Sequence, residues 1–151
     1  MKSVMHDLKP KEKRKARIIS LQMIYAQEFK GSDINTSLQY MLDPEDMPED
    51  MVLTYSKHLC LLTIKHMEEI DTLIKKRSKN WDFKRIAIID RLILRMALSE
   101  MLYENEVPPK VSITEGVEIA KQFSTAESSS FINGILDAIY NDMFKEEKKI
   151  V

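Results

Sequence analysis

Residues 9–31 read KPKEKRKARIISLQMIYAQEFKG, a cationic tract that runs without a break into one of the most apolar stretches of the chain. Pro10 suits a first helical position and Gly31 closes the pattern, so the spacing predicts a helix from Pro10 to Phe29. Its apolar residues Ala16, Ile18, Ile19, Leu21, Met23, Ile24, Ala26 and Phe29 fall on nearly all faces, as expected of a central helix surrounded by others. The charge needs a separate reason. Residues 1–17 hold seven Lys or Arg against Asp7 and Glu12, a balance of +5 in a chain of formal net charge −1. Cations in a first turn meet the positive end of the helix macrodipole and cost roughly a few tenths of a kcal/mol each. An anionic partner therefore explains Lys11, Lys13, Arg14, Lys15 and Arg17 better than local stability does, and a basic block is the electrostatic footprint of nucleic-acid binding.

Working outward, the rest of the chain also reads as helix. A short helix is expected over about 34–42, and the acidic loop DPEDMPED leads into a third over about 48–76, with Met51, Tyr55, Leu59, Leu62, Met67, Ile70 and Leu73 at helical spacing. KKRSKN separates it from a fourth, about 82–104, which EVPPK ends. Ser112 and Glu115 form a capping-box pattern that opens a fifth, and STAESSS ends that helix and supplies caps for a sixth over about 129–145. No stretch alternates with period two for more than a few residues, and three glycines and five prolines in 151 residues leave few turns. The expected fold class is all-α, a single compact helical domain of about six or seven helices spanning 1–151, with a flexible start over 1–9 and a charged tail over 145–151.

Composition narrows the function. With 44% hydrophobic and 31% charged residues, the chain fits neither a disordered nor a membrane protein. The start MKSVMHDLKP lacks the apolar region of a signal peptide, so a soluble cytoplasmic protein with no membrane partner is expected. Cys60, the only cysteine, lies in the apolar run HLCLLTI and reads as a small buried hydrophobe. His58 and His66 are eight residues apart, too far for a helical metal pair, and no phosphate-cradling glycine loop, G-x-S-x-G or C-x-x-C can be written. No enzymatic activity, cofactor or metal is expected. The function should lie in surfaces.

Two stretches are unusual for a plain bundle. NWDFKRIAIIDRLILRMALSEML embeds Asp90, Arg91 and Arg95 in an apolar helix, where charges must be paired or sit at an interface. SSSFINGILDAI places Gly134 inside the last helix, which implies close approach of another backbone, and Phe131 behind a polar loop, either as a core anchor or as a ring for a base.

Four segments now carry a resemblance: KRKARIISLQMIY, WDFKRIAIIDRLILRMALSEML, VPPKVSITEGVEIAKQFST and SSSFINGILDAI, roughly half the chain in order. Together they resemble the successive signatures of the NusB family of bacterial transcription antitermination factors. The resemblance implies two small three-helix subdomains and binding to boxA-type single-stranded RNA. It also implies a heterodimer with NusE, a small-subunit ribosomal protein, and a part in the RNA polymerase antitermination complex on ribosomal RNA operons. A homodimer of the free protein is left open. Carried over by position, the family's basic tract falls on Lys13, Arg14, Lys15 and Arg17, followed by Gln22 and Tyr25. The opposite side of the implied RNA groove falls on Thr125 to Phe131, with Glu127 and Phe131 as contacts, and the protein-binding side on Asp90 and Arg91. Ser130 stands where the family often has a basic residue, and lysine replaces part of the arginine tract. Two alternatives are a stand-alone relative of the RNA-binding domain of ribosomal RNA cytosine methyltransferases, whose catalytic domain has no room in a chain ending at Val151, and a helical protein-interaction module.

Overall fold

The computed structural model describes residues 7–30, 35, 42–78 and 83–145. The helix expected over 34–42 lies almost wholly outside the described residues, as do positions 1–6 and 146–151 of the expected flexible start and charged tail. Six α-helices are described: α1 (Pro10–Lys30), α2 (Asp50–Lys65), α3 (Met67–Arg77), α4 (Ile88–Tyr103), α5 (Pro109–Phe123) and α6 (Ala126–Tyr140). A 3-10 turn over Phe83–Arg85 precedes α4, and a π turn over Asn141–Lys145 follows α6. Among the described residues there is no strand, in line with the all-α expectation. The chain divides into two compact units, Met1–Lys65 and His66–Val151.

In the first unit α1 packs on α2. Ala16, Ile19, Met23 and Ile24 of α1 are buried, as are Val52, Tyr55, Leu59 and Cys60 of α2. Ser56 is fully buried, its Oγ 2.8 Å from Val52 O and 3.0 Å from Ala16 O, so one hydroxyl ties the two helices together. Burial pushes the Cys60 thiol up to about 12, which keeps it protonated and inert, as its apolar setting implied.

The third expected helix does not run through to 76. It breaks at His66, whose backbone (φ −104°, ψ 14°) lies outside the helical well. The His66 ring stacks on Tyr103 with centroids 3.6 Å apart, and the Tyr103 hydroxyl donates to Glu69 Oε2 at 2.6 Å. Burial, then the bond to Glu69, pushes that hydroxyl up to about 12, so it remains a donor at ordinary pH. With the break, the described residues of the second unit form four α-helices, α3 to α6.

At the centre of the second unit lies α4. All residues from Leu92 to Met101 are buried, Arg95 and Glu100 included. Arg95 makes a two-pronged bridge to Asp71 of α3, Nε to Oδ1 at 2.8 Å and Nη2 to Oδ2 at 2.9 Å. Glu100 Oε1 accepts from Ser112 Oγ of α5 at 2.9 Å. This corrects the capping-box reading: Ser112 is a buried residue inside α5, which starts at Pro109 because proline at a first helical position forfeits no bond.

The glycine reading is corrected as well. A Cβ on Gly134 would meet nothing within 4 Å, whereas one on Gly116 of α5 would lie 3.1 Å from Ala97 Cβ of α4 and 3.3 Å from Leu136 Cδ1. The close backbone approach is between α4 and α5. Gly134→Ala should therefore raise stability by about 0.5–1 kcal/mol through helix propensity alone. Gly116→Val should lower it by about 1–3 kcal/mol through overpacking. Urea unfolding of both variants checks the pair: the two changes must have opposite signs.

Candidate nucleic-acid interface

Helix α1 starts from Lys9, whose backbone N–H donates to Glu12 Oε1 at 3.0 Å, so the one acidic residue of the first turn is spent on satisfying the helix end. The cations around it do not act as one group. Successive residues turn by about 100° around a helix, which puts Lys11, Arg14, Lys15, Gln22, Tyr25 and Phe29 on a single stripe. All six are exposed, with half-buried Ile18 between them. Lys13 projects from the opposite side and is half-buried. Arg17 is only 2% exposed, a correction to the expectation that all four family-tract cations face a ligand: position 17 turns toward the buried side with Ser20 and Ile24.

Phe29 is the residue that the sequence reading missed. Placed in the core there, it is 59% exposed, beside Tyr25 at 41%, with ring centroids 4.6 Å apart and planes inclined by 44°. The signal was present in the sequence, since positions 11, 14, 15, 18, 22, 25 and 29 trace one stripe whatever their chemistry.

The other nominated residues lie in the second unit. Asp90, Glu127 and Phe131 line one cavity of about 260 Å³, together with Arg85, Thr125 and Ser128. Thr125 caps α6 by accepting the Ser128 N–H at 3.0 Å. Glu127, exposed in the first turn, sits where a negative charge suits the helix dipole. Phe131 is half-buried.

The two residues nominated for protein binding have internal roles. Asp90 is 5% exposed and its Oδ1 accepts from Ser124 Oγ at 2.9 Å, fixing the α5–α6 turn to the start of α4. Arg91 is half-buried, its guanidinium carbon 5.4 Å from the centre of the Phe83 ring. Lys75 Nζ at 5.0 Å and the Arg95 guanidinium carbon at 5.7 Å face the same ring. Among the described residues no group of three or more His, Cys, Asp or Glu is arranged to hold a metal ion, and no helix is long and apolar enough to cross a membrane.

Residues 14–141 match the family model described as the NusB family. The transcription antitermination protein NusB of Chloroherpeton thalassium is 41% identical over 132 residues, which span 87% of this chain and 62% of that protein. Among solved structures, T. maritima NusB superposes with a TM-score of 0.78 at 29% identity, over 92% of this chain and 97% of that one. A chain from a crystal structure of the antitermination factors NusB and NusE in complex with dsRNA gives the same score, 0.78, at 22% identity, over 89% and 99%. That last likeness is one of fold.

Removing the buried Asp90 carboxylate should cost about 1.5–3 kcal/mol, the range for a hydrogen bond to a charged group. Asp90→Ala measured by thermal unfolding checks this, and a variant as stable as the parent would show that the carboxylate does not hold the α5–α6 turn.

Proposed function

The chain belongs to the NusB family, and on that premise we propose that it is a bacterial transcription antitermination factor, a cytoplasmic regulator without catalysis. It binds boxA-type single-stranded RNA together with NusE and supports transcription of ribosomal RNA operons. The observation that carries the reading is the stripe on α1, where exposed Lys11, Arg14 and Lys15 lead into Gln22 and Tyr25 along one face.

The physical argument is one of division. Cations on long side chains neutralise phosphate without reading sequence, whereas amides and rings reach base edges and faces. Lysine acts as a point charge, so a tract partly lysine and partly arginine holds a backbone with little demand on its geometry. In this reading Glu127 and Phe131, at the start of α6, are the further RNA contacts of the second unit. Asp90 and Arg91 act on NusE indirectly, by setting the turn and the ring beside them. NusE and RNA then bind with mutual coupling, each tightening the other by the same factor.

Salt dependence tests the stripe. For single strands, the logarithm of affinity falls with log salt by about 0.7 per phosphate contact. Replacing Lys11, Arg14 and Lys15 by Ala should flatten the slope by about 2 units, with thermal stability changed little. Fluorescence anisotropy with a labelled boxA-type single strand, and with the same sequence as a duplex, supplies the measurement. A slope that the triple substitution leaves unchanged would remove the cationic stripe from the reading, and preference for the duplex would overturn the single-strand assignment.

A further inference from the structure

Phe29 has no role in the core and none in the reading above. It is the most exposed large hydrophobic side chain among the described residues, at the far end of the stripe from the cations. A single exposed apolar residue is ordinary. Two aromatic rings one helical turn apart, both open to solvent and aligned with a cationic run, are a more specific arrangement.

We propose that Tyr25 and Phe29 form a two-ring stacking platform for unpaired bases of single-stranded RNA whose phosphates are held by Lys11, Arg14 and Lys15. The inference rests on the RNA-binding reading and deepens it by assigning base-face contact to a second ring. The rings touch, with centroids 4.6 Å apart and planes inclined by 44°, and the exposures of 41% and 59% show that surface is left on both. Lys11 to Phe29 is 18 residues along one rigid helix, about 27 Å at 1.5 Å per residue. That length suits a short single strand, within the run of about 4 to 16 nucleotides that such sites follow. Stacking on aromatic rings tolerates any base, because every base has a π-face, so the platform adds affinity without sequence preference. The continuity of the rings with three exposed cations selects an anionic strand carrying flat bases over an apolar protein surface as the occupant.

The test uses the full chain and a labelled single-stranded RNA of about 12 nucleotides. Phe29→Leu keeps an apolar side chain but removes the π-face, and should weaken binding about 5- to 100-fold with the salt slope and melting temperature unchanged. Phe29→Trp should bind as tightly as the parent or tighter. Scanning the RNA with single abasic positions adds a readout that a structural role would not move. At one position the loss seen with the parent should vanish with Phe29→Leu, because the base there has no ring left to cover. Equal binding by the parent and Phe29→Leu overturns the platform while leaving the cationic reading intact, provided that the parent binds RNA in a salt-dependent way. A parent that binds no RNA overturns both. If Phe29→Leu instead changes the sedimentation of the free protein and leaves RNA affinity unaltered, the rings are a contact between copies of the chain, and the platform is again overturned.

Discussion

A helix buried on every side cannot hold a charge alone, and α4 holds two within its ten consecutive buried residues. Leaving such a charge without a partner costs about 3–5 kcal/mol, a large part of a small protein's total stability. The surroundings of α4 follow from that constraint. Asp71 must face Arg95, which sets the rotation of α3, and Ser112 must face Glu100, which sets α5. Gly116 then allows α5 to approach Ala97 so closely that the two helices have little freedom to slide. Asp90, in the first turn of α4, holds Ser124 and with it the turn from which α6 begins. The cavity residues Thr125, Glu127 and Phe131 thus take their positions from polar pairings around one buried helix, while the apolar contacts supply most of the binding energy between the layers.

The helical class and several element ends were legible because they rest on local chemistry, although the fourth expected helix, over about 82–104, starts only at Ile88 and the sixth, over about 129–145, already at Ala126. Pro10 starts α1 as expected, and Thr125 within STAESSS caps α6. The misreadings share a cause, which is that the deciding partner lies far along the chain. Nothing between Asp50 and Arg77 says that the helix must break at His66; the reason is Tyr103, 37 positions later, whose ring the imidazole stacks on. Ser112 and Glu115 have the spacing of a capping box, but Glu100 takes the serine hydroxyl and Pro109 has already opened the helix. Gly134 and Gly116 are each one glycine inside a helix, and only the neighbour across the crossing distinguishes them.

The candidate site shows the same division. That positive charge gathers at the start of α1 is a matter of counting, and the family resemblance attached positions to it. Which cations share a face is a matter of angle, and here the sequence was more legible than the hydrophobic content suggested. Apolar residues do occur all round α1, yet Ile18 is half-buried and Phe29 is largely exposed, while Arg17 and Ser20 lie inside. Hydrophobicity therefore misassigns residues in the middle and at the C-terminal end of this helix. Asp90 and Arg91 stand out in the sequence as charges in an apolar helix and read as a docking side, whereas the contacts that occupy them within the unit, Ser124 and the Phe83 ring, lie too far along the chain or depend too much on the fold to be read there.

Carrying cations and rings on one helix has a mechanical consequence. Were the cations on a loop and the rings on a helix, their separation would vary with the loop, and a strand held by one would meet the other at no fixed register. On α1 the distance between them is set by helical rise, and the helix is held by buried Ala16, Ile19, Met23 and Ile24 against α2 with Ser56 bonded to the Ala16 carbonyl. The two ends respond differently to their surroundings: phosphate contacts weaken as salt rises, whereas stacking is largely indifferent to it. In the proposed site, a larger share of the affinity would pass from Lys11, Arg14 and Lys15 to the aromatic end as ionic strength increases. On that reading the rings, which accept any base, keep affinity for a single strand at high salt without adding sequence preference.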